Sequence, residues 1–338
     1  MSQINYEFIK KYLAKINHRW IVTGAAGFIG SHLVEALLIA EQQVTAIDNY
    51  STGKEGNYST IKELVGSEKA KNLTIINGDI RDLEFLKSNL KEVDYCLHQA
   101  ALGSVPRSML EPQLYHENNV SGFVNVLEAA RVNGIKKIVY ASSSSIYGDY
   151  PSNPKAEEHK GIALSPYALS KQINELSAQN FAQIYGISCV GLRYFNVFGP
   201  RQDPNGAYAA VIPKWIQTLI NGEHCQIYGD GTTSRDFCFV STVVLANILA
   251  ATKFNGQHTV FNVGHGQETT LNQLHAILVS SLKEQGINPQ FDQPAYKDFR
   301  TGDIKHSLAN ASKIKNELGL VPESTITEGL KLTVSSFL

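Results

Sequence analysis

The chain has 338 residues and a formal net charge of −1, with 43% hydrophobic and 18% charged residues. This composition is typical of a globular protein and excludes an intrinsically disordered chain. The near-neutral balance gives no reason to expect nucleic acid or an anionic membrane as a partner. The length predicts one large or two moderate domains with a sizeable core.

The cysteines form no Cys-x-x-Cys pair, so we interpret them as buried free thiols in a reducing, cytoplasmic compartment, and we predict no metal site. No apolar run is long enough to span a membrane. The start of the chain lacks the apolar region of a signal peptide and predicts a short amphipathic helix over 6–16. The four cysteines are Cys96, Cys189, Cys225 and Cys238.

A glycine-rich turn follows the first predicted strand, 19–23, and opens an amphipathic helix over 28–40. In this turn Gly24 permits a tight bend, and Gly27 lets backbone amides approach a pyrophosphate. Gly30 lets the helix pack close to the strand. The helix N-terminus would then face the phosphates with its partial positive charge. The sequence therefore predicts a dinucleotide site.

The second predicted strand, 43–47, ends at Asp48, where an acid can bind the adenosine ribose hydroxyls. A 2′-phosphate would fit badly beside this carboxylate, and no arginine follows it directly, so NAD is favoured over NADP. A third strand over 73–76 leads to Asp79 and Ile80, which we expect near the adenine.

Two further strands end in residues suited to a cofactor site. The strand 94–98 is followed by small side chains around Ala100, which leave room for the cofactor. The strand 136–141 is followed by a serine run from Ser142 to Ser145 that offers hydroxyls for a substrate. Helices are predicted over 82–90, 118–133 and 165–185.

The last of these helices carries a candidate proton-transfer pair. Ser165 is a plausible N-cap and Pro166 a natural first helical residue. Tyr167 and Lys171 are four residues apart, so both side chains can point into one site. A nearby positive charge favours the phenolate and lowers the pKa of a tyrosine. The pair, with a serine hydroxyl, predicts proton transfer near pH 7.

Strands and helices alternate over the first two-thirds of the chain, which predicts an α/β fold with a Rossmann-type, doubly wound parallel sheet. A strand over 187–193 continues the sheet, and 260–263 is expected to return to it. After residue 197 the predicted elements become shorter, and Gly, Pro, Asn and Asp become more frequent. We therefore predict an NAD-binding domain over 1–197, including about 237–265, and a smaller C-terminal substrate domain over 198–338.

Together these motifs resemble the extended short-chain dehydrogenase/reductases, and within them the UDP-N-acetylhexosamine 4-epimerases of bacterial polysaccharide biosynthesis. The resemblance covers nearly the whole chain. The general match lies in 20–33, 192–196, 228–237, 299–304 and Ser307, and the closer match in 101–108 and 199–208.

The resemblance implies a role for each matching position. Ser143 would be the catalytic hydroxyl, Tyr167 the base, and Lys171 would tune Tyr167 and bind the nicotinamide ribose of a tightly bound, recycled NAD. The cofactor would be bound by Gly24, Gly27, Phe28, Ile29, Gly30, Asp48, Asn49, Ser51, Thr52, Gly53, Asp79, Ile80, Gln99, Ala100, Ala101, Asn118, Tyr167, Lys171, Tyr194 and Phe195. The UDP-sugar would be bound by Gly103, Ser104, Ser143, Ser144, Ser145, Asn196, Gln202, Ala210, Val211, Tyr228, Arg235, Arg300, Asp303 and Ser307.

The implied reaction is 4-epimerisation through a 4-keto sugar, a redox cycle without net redox, supplying sugar nucleotides for surface polysaccharide. Gly103 and Ser307 are small where many simple hexose epimerases carry bulkier residues, and by this resemblance they leave room for a 2-acetamido group. The uronic acid forms of the same sugars remain an alternative substrate class. A homodimer, packed through 118–133 and 165–185, is expected by resemblance.

Other chemistry on this scaffold is disfavoured. A 4,6-dehydratase typically carries an Asp-Glu pair after the catalytic hydroxyl, and a uronic acid decarboxylase keeps the Glu. Here these positions are Ser144 and Ser145, which supply no carboxyl group. A net reductase, which would release its cofactor at each turnover, remains an alternative that the resemblance disfavours. A non-catalytic NAD-binding protein would not need Ser143, Tyr167 and Lys171 together.

Overall fold

A parallel sheet forms the centre of the protein. The computed structural model describes residues 4–13, 17–205, 209–299 and 305–338. Within this part the main sheet has seven strands, and every neighbouring pair is parallel. In order across the sheet the strands are His258–Val263, Ser188–Tyr194, Lys137–Ser143, Tyr95–His98, Arg19–Thr23, Gln43–Asp48 and Leu73–Asn77.

Helices cover both faces of this sheet. The first half of the chain contains a 3-10 turn Tyr6–Ile9 and helices Lys10–Leu13, Phe28–Ile39, Gly56–Val65, Ser67–Ala70, Leu83–Asn89, Val105–Leu110, Pro112–Tyr115, a π-helical turn His116–Ser121, and Gly122–Val132. The second half contains a 3-10 turn Ser144–Tyr147 and helices Pro166–Tyr185, Val211–Ile220, Val240–Lys253, Leu271–Glu284, Ser312–Leu318 and Ile326–Ser335.

Short strands form three small sheets beside the main one. Val197–Phe198 pairs with Cys238–Phe239. Ser234–Arg235 lies between Thr269–Thr270 and His306–Ser307, and Gln226–Tyr228 pairs with Ala295–Lys297.

The central strands are buried on both faces because their side chains alternate between two cores. Trp20 and Val22 belong to one buried cluster with Leu33, whereas Ile21 belongs to another with Phe123. Near-continuous apolar strands of this kind are expected where helices cover both sides of a parallel sheet. This arrangement brings the carboxyl ends of the strands to one edge, where ligands of such sheets bind.

The structure confirms the predicted Rossmann-type α/β fold. The strand expected over 260–263 is His258–Val263 and pairs with Ser188–Tyr194. The helix expected over 118–133 begins with the π-helical turn His116–Ser121 and continues as Gly122–Val132. The division into domains at residue 197 stays a prediction.

The N-terminal segment is part of the core. The helix expected over 6–16 consists of the turn Tyr6–Ile9 and the helix Lys10–Leu13, and residues 14–16 lie outside the described part. Its apolar face is buried, since Tyr6 and Ile9 are both 0% exposed. All four cysteines are free and buried, as the sequence suggested. Among the described residues, no helix has the length and apolar character that crossing a bilayer requires.

Candidate active site

A cavity of about 840 Å³ lies at the carboxyl edge of the main sheet. Its wall brings together residues from the glycine turn, the ends of the second to fifth strands, the catalytic helix Pro166–Tyr185 and the smaller sheets. Of the predicted site residues, it includes Gly24, Gly27, Phe28, Ile29, Gly30, Asp48, Asn49, Ser51, Thr52, Ile80, Gln99, Ala100, Ala101, Gly103, Asn118, Ser143, Ser144, Ser145, Tyr167, Lys171, Tyr194, Asn196, Gln202, Arg235 and Ser307.

The glycine turn has the geometry of a dinucleotide cradle. Gly24 adopts a left-handed φ of +68°, and a Cβ there would lie 2.6 Å from the Ala100 nitrogen. A Cβ on Gly30 would lie 2.1 Å from the Gly24 oxygen, so only glycine fits between the helix and the turn. Gly27 is the N-cap of Phe28–Ile39 and leaves the helix N-terminus open toward the cavity. These features fit the diphosphate of NAD.

The carboxylate of Asp48 is fixed beside this cradle. It accepts hydrogen bonds from the Ala26 amide at 2.9 Å and from the Tyr50 amide at 2.8 Å. Burial raises the pKa of Asp48, and these amide hydrogen bonds oppose that effect. The side chain lines the cavity at the end of the second strand, where a ribose would be bound.

Two predicted cofactor residues near Asp48, Gly53 and Asp79, are not among the residues that line the cavity. A Cβ on Gly53 would contact the Asp48 carboxylate at 2.9 Å, so this glycine allows the loop to pack on the acid. Asp79 is paired with Arg81 and accepts a hydrogen bond from Asn49 at 2.9 Å. The Arg81 hydrogen bonds lower the pKa of Asp79 to about 2, so it stays a carboxylate that orients Asn49.

Phe195, which was also predicted to bind the cofactor, is not among the residues that line the cavity. Its side chain is 0% exposed and packs with Ile146, Tyr147 and Ala309. The neighbouring Tyr194 lines the cavity, and successive side chains in an extended chain point in opposite directions. Phe195 therefore supports the wall from behind, and its role in binding the cofactor stays a prediction.

Tyr194 belongs to a hydrogen-bonded group that the sequence did not reveal. Its hydroxyl donates to the Gln99 oxygen at 3.1 Å and accepts from the Asn247 amide at 2.9 Å. Gln99 in turn donates to the Asn247 oxygen at 3.1 Å. Asn247 lies 148 residues from Gln99 in the chain, on Val240–Lys253, so no local pattern connects them. The group fixes Gln99 on the cavity wall.

Ser143, Tyr167 and Lys171 converge on the cavity wall. Ser165 caps the helix by accepting from the Ala168 amide at 3.1 Å, and Pro166 is the first helical residue, as predicted. The Lys171 ammonium donates to the Ala141 carbonyl at 2.8 Å and lies 5.9 Å from the centre of the Tyr167 ring. The sequence thus placed this trio correctly in space.

The electrostatics of the trio differ from the expectation. Burial raises the pKa of Tyr167, and a hydrogen bond with Ser143 opposes this only in part. Burial also lowers the pKa of Lys171 to about 8. The net lowering of the tyrosine pKa that the sequence predicted is therefore not found in this structure. The reason is that desolvation of the phenolate raises the pKa of Tyr167 by more than the Ser143 hydrogen bond lowers it.

A buried ion pair supports the strand that carries Ser143. Arg193 donates two hydrogen bonds of 2.9 Å to Glu175, one from Nε and one from Nη2, and is 0% exposed. Glu175 also accepts from the Ser142 hydroxyl at 2.7 Å. It lies on the same helix as Tyr167, so the pair connects the catalytic helix to Ser142, next to Ser143. Sequence reasoning missed this pair.

The π-helical turn His116–Ser121 places two asparagines inward. Asn118 lines the cavity. Asn119 brackets Leu102, accepting from its amide at 2.8 Å and donating to its carbonyl at 3.0 Å. It also donates to the Ser170 hydroxyl at 3.1 Å, on the catalytic helix. Asn119 therefore holds the loop that presents Gly103, a role that the sequence did not indicate.

Some of the expected substrate residues line the cavity, others lie off its wall, and two lie outside the described residues. Ser104 is the N-cap of Val105–Leu110 and accepts from the Arg107 amide at 3.2 Å. Tyr228 lies in the short strand Gln226–Tyr228 and does not line the cavity. Ala210 and Val211 begin the helix Val211–Ile220 and also lie off the wall. Arg300 and Asp303 lie outside the described residues.

Comparison with known proteins agrees with this geometry. A model of the NAD dependent epimerase/dehydratase family matches residues 20–264. The chain is 35% identical over 322 residues to the UDP-glucose 4-epimerase of Mycolicibacterium smegmatis, covering 94% of this chain and 98% of that protein.

Two solved structures are similar over nearly their whole length. UDP-N-acetylglucosamine 4-epimerase from Methanobrevibacter ruminantium, in complex with UDP-N-acetylmuramic acid, has a TM-score of 0.86 at 43% identity, covering 95% of this chain and 98% of that one. UDP-glucose 4-epimerase from Thermus thermophilus, in complex with NAD, has a TM-score of 0.80 at 34% identity, covering 94% and 98%.

Proposed function

The chain belongs to the NAD dependent epimerase/dehydratase family, and on that premise we propose that it interconverts UDP-N-acetylglucosamine and UDP-N-acetylgalactosamine by inverting C4. It is an NAD-dependent enzyme of the UDP-sugar 4-epimerase kind. The choice of acetamido sugars is the step that we propose. A role in supplying sugars for surface polysaccharide belongs to the same proposal.

Three side chains of this protein would handle the proton at the sugar 4-hydroxyl. Tyr167, as the phenolate, would accept that proton and later return it, while Ser143 hydrogen-bonds the same oxygen as it becomes a carbonyl. Burial raises the pKa of Tyr167, so the phenolate depends on positive charge beside the ring, from Lys171 and from NAD when bound. Lys171 holds a positive charge close to Tyr167, fixed by its bond to Ala141. The chemistry that NAD supplies when bound is the removal and return of a hydride at C4.

The observation that carries the choice of sugar is the open space beside Gly103. A Cβ added there would meet no heavy atom within 4 Å, although Gly103 lies on the cavity wall. Ser307 lies on the same wall and is also small. Space next to a glycine and a serine suits a 2-acetamido group, and a bulky residue at either position would fill it. The 43% identity to a UDP-N-acetylglucosamine 4-epimerase supports the same assignment.

Ser144 and Ser145 favour epimerisation over dehydration. Both line the cavity directly after Ser143, and neither offers a carboxyl group for elimination of water. The Ser145 hydroxyl is buried and has no hydrogen-bond partner among the described residues.

The alternative substrate is the 6-carboxylate form of the same acetamido sugars. Arg235 lines the cavity and supplies a guanidinium that can bind a diphosphate, as we propose, or a sugar carboxylate. The space beside Gly103 accommodates the acetamido group of either form. An experiment must therefore decide which of the two forms is the substrate.

We also propose a homodimer that packs through the catalytic helix and the helix Gly122–Val132. The exposed faces of these helices carry large apolar side chains that a second copy would cover. They are Val132, Leu169, Leu176, Ile184 and Tyr185, each at least 49% exposed.

The test is incubation of the purified protein, without added cofactor, with UDP-N-acetylglucosamine and separately with its 6-carboxylate form. Proton NMR of the sugar signals identifies the products. We expect conversion of the first to the galacto isomer with NAD retained from purification. Faster conversion of the 6-carboxylate would reassign the substrate. A new product formed only when NADH is supplied would make the protein a net reductase.

A further inference from the structure

The loop 199–203 borders the cofactor cavity and is attached to two separate parts of its wall. Gln202 lies on the wall itself, and its side chain donates to the Val197 carbonyl at 3.2 Å. Residues on either side of Gln202 reach outward to the glycine-turn helix and to the loop after Asp48. Neither attachment involves a residue that contacts the reacting atoms in the mechanism above.

The first attachment is a buried cluster on the helix Phe28–Ile39. Arg201 donates to the Glu35 carboxylate at 2.5 Å, and the two side chains are 11% and 5% exposed. The same guanidinium also contacts the Nδ1 atom of His32. His32 Nε2 lies 2.9 Å from the Pro200 carbonyl, and the Tyr6 hydroxyl lies 2.9 Å from His32 Nδ1.

The protonation of this cluster follows from its partners. Burial and the neighbouring Arg201 lower the pKa of His32 well below its ordinary value. A neutral His32 donates from Nε2 to the Pro200 carbonyl, and the single acceptor lone pair of its Nδ1 faces both the Tyr6 hydroxyl and the Arg201 guanidinium. Glu35 is then the counterion of Arg201, and breaking this pair would leave a carboxylate buried without a cation.

Arg201 is held in an unfavourable backbone conformation. Its φ is +64°, in the left-handed region that favours glycine. Such a conformation persists at a non-glycine residue only where surrounding contacts impose it, and it is frequent in ligand clamps. Here the imposed turn directs Arg201 toward Glu35 and Gln202 toward the cavity.

The second attachment crosses to the loop that follows Asp48. Lys54 Nζ lies 3.2 Å from the Asp203 carboxylate, and the side chains are 56% and 49% exposed. The Lys54 backbone is fixed in turn, because its amide donates to the Ala26 carbonyl at 3.0 Å. The preceding residues Ser51 and Thr52 line the cavity.

We propose that the loop 199–203 is a clasp that keeps NAD bound between turnovers, with Arg201–Glu35 as its anchor and Lys54–Asp203 as its latch. The clasp spans from the helix that receives the diphosphate to the loop beside the ribose acid. A dinucleotide on the glycine turn and Asp48 is thus enclosed by three linked segments. The inference rests on the proposed function, because an epimerase that lost its reduced cofactor in mid-cycle would leave the sugar as a ketone.

The test measures release of NAD from the protein as purified, with no UDP-sugar present. Alcohol dehydrogenase and ethanol convert released NAD to NADH, and the absorbance at 340 nm follows the release rate. We expect Asp203→Asn to accelerate release by about 1.5- to 5-fold, the range that an exposed ion pair supports. We expect Arg201→Met to accelerate it by at least about tenfold, because it breaks a buried pair.

A matched control separates the latch from a general effect of losing an ion pair. Lys283–Asp292 has a 3.3 Å contact with side chains 47% and 53% exposed, and none of its atoms lies in the cofactor cavity. Asp292→Asn should leave the release rate unchanged. The charge swap Lys54→Asp with Asp203→Lys should restore the slow release that Asp203→Asn loses.

A second measurement distinguishes general destabilisation by Arg201→Met from loss of the clasp. The melting temperature at saturating NAD reports a structural loss, whereas Asp203→Asn and its charge swap test the loop without a buried change. Equal release rates for Asp203→Asn, Asp292→Asn and the unaltered protein would overturn the latch. An unchanged rate in Arg201→Met would overturn the anchor, and epimerisation in the same samples would leave the proposed function intact. Immediate release by the unaltered protein would refute retention itself.

Discussion

Arg193→Met tests the buried pair beneath the catalytic strand. Glu175 is 2% exposed, and the change removes the two Arg193 hydrogen bonds that hold its carboxylate. Removing one member of a buried ion pair destabilises a protein by about 3–5 kcal/mol. We expect the low end, about 3 kcal/mol, because Lys160 still contacts Glu175 at 2.7 Å.

The loss should depend on pH in a defined direction. Burial alone would raise the pKa of Glu175, but Arg193 and Lys160 lower it in the unaltered protein. The stabilising effect of this carboxylate is therefore present above about pH 4.3, the ordinary value for glutamate, and is lost below it. In Arg193→Met the pKa of Glu175 rises, and protonation relieves the buried charge as the pH falls toward 5. The free-energy loss should thus shrink between pH 7.5 and pH 5.

Urea unfolding followed by circular dichroism at both pH values measures these losses. Lys331→Met is the control, because Lys331 and Glu284 form a 2.8 Å pair with side chains 44% and 50% exposed. An exposed pair of this kind contributes at most about 1 kcal/mol. An Arg193→Met loss no larger than that of Lys331→Met, or a loss that does not shrink at pH 5, would refute the reasoning. The double change Glu175→Leu with Arg193→Met should recover part of the loss.

Three predictions concern the reaction. Tyr167→Phe should keep bound NAD but lose epimerisation by about 10²–10⁴-fold, and full activity in an NMR assay would remove Tyr167 from the mechanism. Ser307→Tyr should lower kcat/KM for acetamido sugars by about 10–200-fold more than for plain UDP-hexoses, and equal losses would contradict the pocket-size argument. Because burial lowers the pKa of Lys171 to about 8, its ammonium loses the proton as the pH rises through that value. Activity should fall along that limb, and a flat kcat profile from pH 7 to 10 would contradict a role for the charge.

Local signals in the sequence were sufficient for the sheet and for the cradle. The strand expected over 19–23 is Arg19–Thr23, and the helix expected from 28 begins at Phe28. These boundaries depend on apolar runs and glycines that act within a few residues. The catalytic helix was predictable for the same reason, since Ser165 and Pro166 mark its start and the spacing of Tyr167 and Lys171 gives them one face.

The supports of the site were not predictable in this way. Glu175 and Arg193 are 18 residues apart and lie on a helix and a strand, so only the fold brings them together. The raised pKa of Tyr167 has the same origin, because it depends on how far the ring is desolvated in the folded protein. Sequence spacing gives neighbours along an element, whereas burial and long-range partners follow from tertiary packing.

The segment between Arg193 and Arg201 is held at both ends by ion pairs to two different helices. Each end is an arginine in a buried pair, with Glu175 on the catalytic helix at one end and Glu35 on the glycine-turn helix at the other. Between the two arginines, Tyr194, Asn196 and Val197 line the cavity. The segment therefore joins the helix that carries Tyr167 and Lys171 to the helix that follows the glycine turn.

Loosening the two ends should have separate consequences. At Arg193 the change affects the support beneath Ser142 and the stability of the fold. At Arg201 the change acts on the proposed clasp, so it should accelerate the release of NAD in addition to destabilising the fold. An enzyme that returns its hydride to the same substrate needs both ends held, because an incorrectly placed proton acceptor and an escaping cofactor would each strand the ketone.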